Sequence, residues 1–228
     1  MTRMTTPRRQ CGLFITLEGG EGAGKSTLGR GLSKALRKQG VPLKSTREPG
    51  GTKGATAIRE LLVSREDLDW RLLPETLLFY AARAENLERV ILPHLLHGFW
   101  VICDRFYDST YAYQFYRRRG MKTSYFRELN RLIGTPTPDL TIILDVDPEV
   151  GLKRSQGHLL FEDRYEHMDI AFHKRVRQAF LHIAKREPDR CVVIDASKSK
   201  QQVLSQALKA VKERLEHRRL KPNIEIAS

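Results

Sequence analysis

Eight consecutive residues, Gly19-Gly20-Glu21-Gly22-Ala23-Gly24-Lys25-Ser26, follow the pattern G-x-x-x-x-G-K-[ST]. They lie between an apolar run from Gly12 to Leu17 and a helix-like stretch from Ser26 to Lys38. Glycines let successive backbone N–H groups turn inward onto phosphate oxygens, Lys25 supplies a point charge, and the Ser26 hydroxyl is a ligand for magnesium. The N-terminus of the helix behind the loop adds a favourable dipole. The same letters also arise by chance in a merely Gly-rich turn, and a strand before with a helix after is the context that separates the two. Both flanks are legible here, so the chemistry indicated is the binding of a nucleoside triphosphate.

The elements that must position this loop follow from the apolar pattern. Strand-like runs rich in Val and Ile recur at Leu13 to Glu18, around Leu43 to Thr46, and at Trp100 to Asp104, Leu140 to Asp145 and Cys191 to Asp195. Unbroken apolar runs read as strands buried on both faces. Between them lie helical patterns at Lys25 to Lys38, Ala55 to Ser64, Pro74 to Leu96, Ser124 to Ile133, Pro148 to Ser155, Asp169 to Arg186 and Lys200 to Leu215. Strand alternating with helix predicts an α/β fold, a five-stranded parallel sheet flanked by helices on both faces. Right-handed crossovers bring the carboxyl ends of all the strands to one edge, where ligands collect.

The chain of 228 residues, 40% of them hydrophobic, suffices for one core. We expect a basic N-terminal tail at 1–11, a single domain at 12–216 with a lid around 153–166, and a C-terminal tail at 217–228. No apolar stretch approaches the roughly 20 residues of a membrane span, and Met1 to Gln10 lacks the apolar middle of a signal peptide, so the expected location is cytoplasmic. Cys11, Cys103 and Cys191 match neither a zinc site nor a disulfide framework and read as reduced thiols. The net charge of +13 invites a nucleic-acid reading, yet +7 of it sits in residues 1–10 and 209–221. Basic, solvated tails account for that share, and no specific nucleic-acid partner is expected.

Four further motifs fall at the expected sheet edge or beside it: Thr46-Arg47-Glu48-Pro49-Gly50-Gly51, Phe79-Tyr80-Ala81-Ala82-Arg83, Asp104-Arg105-Phe106 and Asp163-Arg164-Tyr165-Glu166. Together with the phosphate loop, and in this order, they resemble the thymidylate kinase family from about Leu13 to Ser197. The resemblance implies a P-loop kinase fold, transfer of a phosphoryl group from ATP to dTMP with Mg2+, and a homodimer packed through helices beside the base-binding one. Gly19, Gly20, Glu21, Gly22, Ala23, Gly24, Lys25, Ser26 and Thr27 would then form the ATP cradle, and Ser26 and Asp104 the magnesium site. Arg47 and Arg105 would grip the acceptor phosphate, where guanidinium forks suit a dianion in charge and geometry. Phe79 would stack on the base and Arg83 hydrogen-bond it; their four-residue spacing puts both on one helix face.

Glu21 would be repelled by triphosphate, so it points toward the acceptor sugar, which is also where the family uses it. Ser109-Thr110-Tyr111-Ala112-Tyr113-Gln114 looks like the family's helix start, which implies Thr110 near the base, Tyr113 against the deoxyribose and Gln114 also among the substrate-binding residues; Tyr165 closes the pocket from the lid. The family's subgroups place the transfer arginine either in the phosphate loop or in the lid. With Gly22 in the loop this chain resembles the lid-arginine subgroup, although Lys153-Arg154-Ser155-Gln156-Gly157-His158 is poorer in arginine than that subgroup's usual pattern. Arg154 and Arg164 are the candidates, Arg154 also as a neighbour of the adenine. Other readings stay open from the residues alone. Phe79 and Arg83 also fit a core ring beside a surface charge, and Asp104 with Arg105 a structural ion pair. The whole chain also fits another nucleoside monophosphate or deoxynucleoside kinase, or a P-loop ATPase binding nucleic acid.

Overall fold

Strands without polar alternation leave no face for water, and the central three here are covered on both sides. The computed structural model describes residues 12–63, 68, 70–116, 121–155, 165 and 168–220. Within it β1 (Phe14–Gly19), β2 (Leu43–Arg47), β3 (Trp100–Asp104), β4 (Leu140–Asp145) and β5 (Cys191–Asp195) form one parallel sheet in the order β2-β3-β1-β4-β5. β1 is buried along its length, whereas the edge strands β2 and β5 alternate with exposed positions. Parallel pairing follows from the helical crossover after each strand.

The two faces of β1 serve different layers. Leu13, Ile15 and Leu17 face a cluster built with Leu28, Leu32 and Leu36 of α1 (Lys25–Lys38) and with Val203, Ala207 and Val211 of α9 (Lys200–Leu220). On the other face Phe14 packs with Leu87, Ile91 and Phe106, while Ile143 of β4 meets Phe172, Val176 and Phe180 of α8 (Ile170–Arg186). The remaining helices are α2 (Lys53–Val63), α3 (Leu72–Asn86), α4 (Leu92–Leu96), α5 (Tyr107–Thr110), α6 (Thr123–Leu132) and α7 (Pro148–Ser155). The fold expected from the sequence is the fold observed, and Cys103 and Cys191 are buried and free.

Three local expectations need correction. The stretch Pro74 to Leu96 is not one regular helix: α3 passes into a π turn at Leu87–Ile91 before α4 begins, just ahead of Pro93, which has no N–H to continue a regular ladder. The helix expected to start at Ser109 starts at Tyr107 and becomes a π turn at Tyr111–Phe115, with Tyr116 N–H reaching the Tyr111 carbonyl. One extra residue in that turn lets Tyr113 reach toward the phosphate loop while Gln114 reaches α3. Finally, the helix expected at Lys200 to Leu215 runs on to Leu220 as α9.

Beneath the sheet edge lies a buried ionic knot. Arg190, just before β5, donates to both Asp108 oxygens at 2.7 and 2.8 Å and to Thr141 Oγ1 at 2.7 Å. Burial pushes the Asp108 carboxyl up and the paired guanidinium pulls it back. Removing one partner of such a pair strands the other charge, so Arg190→Ala is expected to lower stability by about 3–5 kcal/mol. Urea unfolding followed by circular dichroism measures it; a loss below about 1 kcal/mol would mean that Asp108 finds another counter-charge.

Candidate active site

The phosphate loop joins the end of β1 to the start of α1 as a tight turn with Gly22 at φ +63° and Gly24 at φ +91°. A Cβ at Gly22 would stand 1.9 Å from the Gly151 carbonyl oxygen of α7, so no side chain fits there without moving that helix. Lys25 is 8% exposed and donates from Nζ to the carbonyls of Gly19 and Gly20 at 3.0 and 2.7 Å. Burial, then the neighbouring Arg105, lower its pKa to about 8 against the pull of Glu21, Asp104 and Glu18. Ser26 Oγ donates to Asp104 Oδ2 at 2.6 Å, which joins the two residues assigned to magnesium at the mouth of the loop. Among the described residues no three of His, Cys, Asp and Glu cluster as a metal cage. A hydroxyl and one carboxylate fit Mg2+, which keeps water and nucleotide oxygens as its other ligands.

Arg105 is the only non-glycine residue at positive φ among those described, at +65°. Its guanidinium donates from Nη2 to Glu21 Oε1 at 2.7 Å and from Nη1 to the Gly19 carbonyl at 3.2 Å and Ser109 Oγ at 3.1 Å. Glu21 Oε1 also accepts from the Tyr113 hydroxyl at 2.7 Å, and the guanidinium lies over the Tyr113 ring. The ion-pair alternative for Asp104 and Arg105 is therefore corrected: Arg105 pairs with Glu21, and Asp104 holds Ser26. Burial alone would raise the Glu21 carboxyl, but Arg105, Lys25, the Tyr113 hydrogen bond and His173 outweigh it and hold it near about 2.

The third group lies across β2 and α3. Phe79 is half-buried and Arg83 is 2% exposed, which overturns the reading of a core ring beside a surface arginine. Arg83 Nε donates to Glu48 Oε2 at 2.7 Å and Nη2 to Thr110 Oγ1 at 2.8 Å; Nη1 is buried and has no partner among the described residues. Asn86 donates to Glu48 Oε1 and accepts from Thr46 Oγ1, and a Cβ at Gly51 would collide with both Asn86 and Thr46. Gln114 and Tyr165 both donate to Glu75 Oε1, at 2.8 and 2.7 Å, and Tyr165 packs edge-on against Tyr113. Arg47 is exposed at the end of β2, opposite Asp104 in register.

The loop, Asp104, Arg105, Arg47, Phe79, Arg83, Thr110, Tyr113, Gln114 and Tyr165 thus gather along the carboxyl edge of the sheet, as the topology requires. Arg154 stands apart: it is exposed on α7 and donates to the Ala196 carbonyl beyond β5 at 2.8 Å. Arg164, with Asp163, Glu166 and most of the expected lid, lies outside the described residues. Sequence reasoning missed five site residues: Glu18, Glu48, Glu75, Ser109 and His173. Four of them carried a signal: Glu48 and Ser109 stand inside motifs named above, Glu18 ends an apolar strand, and Glu75 sits one turn before Phe79 on the Phe79–Arg83 face. His173 did not; it is 4% exposed, lines a small cleft with Gly20, Glu21 and Arg177, and has an unpartnered Nε2 among the described residues.

A family model described as thymidylate kinase matches residues 17–207. The thymidylate kinase of Caulobacter vibrioides is 49% identical over 185 residues, 81% of this chain and 88% of that protein. That of Magnetococcus marinus is 48% identical over 193 residues, covering 84% of this chain and 91% of that protein. The crystal structure of thymidylate kinase from Ehrlichia chaffeensis superposes with a TM-score of 0.73 at 37% identity, covering 88% of this chain and 99% of that one.

The Glu21 carboxyl yields a pH prediction. Its pKa is lower folded than unfolded, so the unfolded chain binds the extra proton and stability is lost as pH falls from about 4.5 toward about 2. Melting temperatures across that range should fall less steeply for Glu21→Gln, which has no proton to take up, than for the parent. Parallel curves would show that Glu21 is not held ionised by Arg105.

Proposed function

The chain belongs to the thymidylate kinase family, and we propose that it transfers the γ-phosphoryl group of ATP to dTMP, giving dTDP, with Mg2+ at Ser26 and Asp104. Its class is that of a phosphotransferase. The observation that carries the acceptor reading is Arg83, fully buried with Nε and Nη2 engaged and Nη1 without a partner among the described residues. A desolvated donor fixed by Glu48 and Thr110 one turn from the half-buried Phe79 ring suits a planar base with a carbonyl on its edge.

Phosphoryl transfer depends on positioning and charge neutralisation more than on covalent chemistry. Arg105 and Arg47 orient the acceptor phosphate, which is already ionised and requires no general base. Glu21, locked by Arg105 and Tyr113, accepts from the sugar 3′-hydroxyl, and the Tyr113 ring forms the wall that excludes a 2′-hydroxyl. Thr110, Gln114 and Tyr165 complete the nucleoside pocket. On the donor side, the loop from Gly19 to Thr27 cradles the triphosphate and Lys25 leaves the loop carbonyls for the phosphates. Ser26 and Asp104 would hold Mg2+, which would supply neutralisation of the negative charge on the phosphates. Gly22, pressed against Gly151, leaves no room for an arginine in the loop, which favours a lid arginine in that role. Arg154, tethered at Ala196, belongs with the adenine, and Arg164 with the transferring group.

A homodimer is part of the same proposal. Leu61 of α2 and Leu73 and Leu77 of α3 are about half exposed beside the base-binding face, an apolar surface suited to a second copy. So is a cytoplasmic location. No helix among the described residues is long and apolar enough to cross a membrane.

Coupled ADP release with ATP, Mg2+ and each of dTMP, dUMP, dCMP, dGMP, UMP and thymidine tests the function. Strong turnover on dTMP alone is expected. Turnover on thymidine would point to a deoxynucleoside kinase, and equal turnover with no acceptor to an ATPase. In the same assay Arg164→Ala should slow transfer by roughly ten-fold to a thousand-fold, and Arg154→Ala should act mainly on the KM for ATP. The lid assignment fails if neither variant differs from the parent.

A further inference from the structure

Arg105 adopts a backbone conformation that L-residues avoid, and such conformations persist only where the surroundings over-determine them. Its own N–H donates to the Leu17 carbonyl at 2.9 Å, and its carbonyl accepts from the Cys103 thiol. The next peptide N–H, that of Phe106, donates at 2.8 Å to Oε1 of Glu18, a side chain with no exposed surface. The other oxygen of the same carboxyl accepts from the Ser109 hydroxyl at 2.5 Å, and Ser109 Oγ accepts from Arg105 Nη1 at 3.1 Å. One carboxyl thus reaches both ends of Arg105: the backbone through Phe106 and the guanidinium through Ser109.

We propose that Glu18 is a positioning residue for the acceptor phosphate, fixing the left-handed turn and the side-chain direction of Arg105 without touching substrate. The inference rests on the reading of Arg105 as an acceptor-phosphate group. Glu18 lies on the β1 face that carries Thr16, so it approaches the β3–α5 turn from beneath while the guanidinium of Arg105 faces the loop. A carboxylate is the side chain that serves here, because both groups pointing at it are donors. Glutamine offers one acceptor oxygen for two donors. Its amide then meets either the Phe106 N–H, donor against donor, or the Ser109 oxygen, which already accepts from Arg105 and is left with its own proton unplaced.

The test is steady-state kinetics on Glu18→Gln, Ser109→Ala, the double variant and Arg105→Ala, with melting curves for each. The expected result is a KM for dTMP raised about tenfold in Glu18→Gln and by a lesser factor in Ser109→Ala, with the KM for ATP within about twofold of the parent. The double variant should be little worse than Glu18→Gln alone, because the serine acts through the same carboxyl. A purely structural role would lower the melting temperature and leave the ratio of the two KM values unmoved, and that outcome overturns the proposal. If Glu18→Gln does not fold, Ser109→Ala decides, since Ser109 is neutral and partly exposed and the Phe106 N–H still donates to Glu18. If Arg105→Ala itself leaves the KM for dTMP unchanged, the acceptor-phosphate reading of Arg105 is what fails. If Arg105→Ala raises it while folded Glu18→Gln and Ser109→Ala do not, the positioning role alone is refuted.

Discussion

The left-handed turn at Arg105 is the constraint from which the site is built. A non-glycine residue held there costs about 1–3 kcal/mol, and the chain keeps it because the turn aims a guanidinium back across β1 at the phosphate loop. From that position Arg105 clamps Glu21, and Glu21 in turn fixes the Tyr113 hydroxyl. Asp104 and Glu18 lie close enough to Lys25 for their charges to pull its ammonium pKa back up against burial. At Glu18 burial, with Asp108 nearby, pushes the carboxyl up, and the Ser109 hydroxyl, the Arg105 charge and the Phe106 N–H pull it back toward the ionised form.

Pre-organisation runs through two more buried ionic groups. Glu48 and Arg83 are both nearly free of solvent, and each is anchored a second time, Glu48 by Asn86 and Arg83 by Thr110. The Asp108–Arg190 pair is fastened through its guanidinium, which also donates to Thr141 and Glu187. Buried pairs of this kind add little net stability, because desolvation offsets the attraction. Their value lies in direction. A charged donor with only one rotamer compatible with its partners presents a fixed face to a ligand, so less ordering remains for the moment of binding. The π turn at Tyr111–Phe115 acts in the same sense, by re-aiming Tyr113 and Gln114 from successive positions toward different walls of the pocket.

The fold was legible because its signals are local. Five apolar runs and the intervening helical periods sufficed for a parallel sheet, and the phosphate loop located its working edge. Several site residues were legible as motif letters, and the structure gathers Lys25, Ser26, Asp104, Arg105, Phe79 and Arg83 where the topology sends them. The pairings were not. Nothing in the sequence distinguishes Glu21 from Asp104 as the partner of Arg105, for both lie within reach of a flexible guanidinium until the turn fixes its direction. His173 was hidden for the same reason: its spacing reads as ordinary helix, and only the packing of α8 beside the loop gives it neighbours.

The sequence by itself determined which residues can carry charge to a phosphate and in which elements they travel, because glycine spacing, apolar period and helix register are properties of neighbours along the chain. Tertiary structure alone decided which charge meets which: that Arg83 is buried against Glu48, that Gly22 abuts Gly151, and that Glu18 reaches the Arg105 turn from the adjoining strand. Those contacts join residues 35, 129 and 88 positions apart, brought within a few ångströms by the crossovers of the sheet. Their energies depend on how completely water is excluded, and no local pattern encodes that.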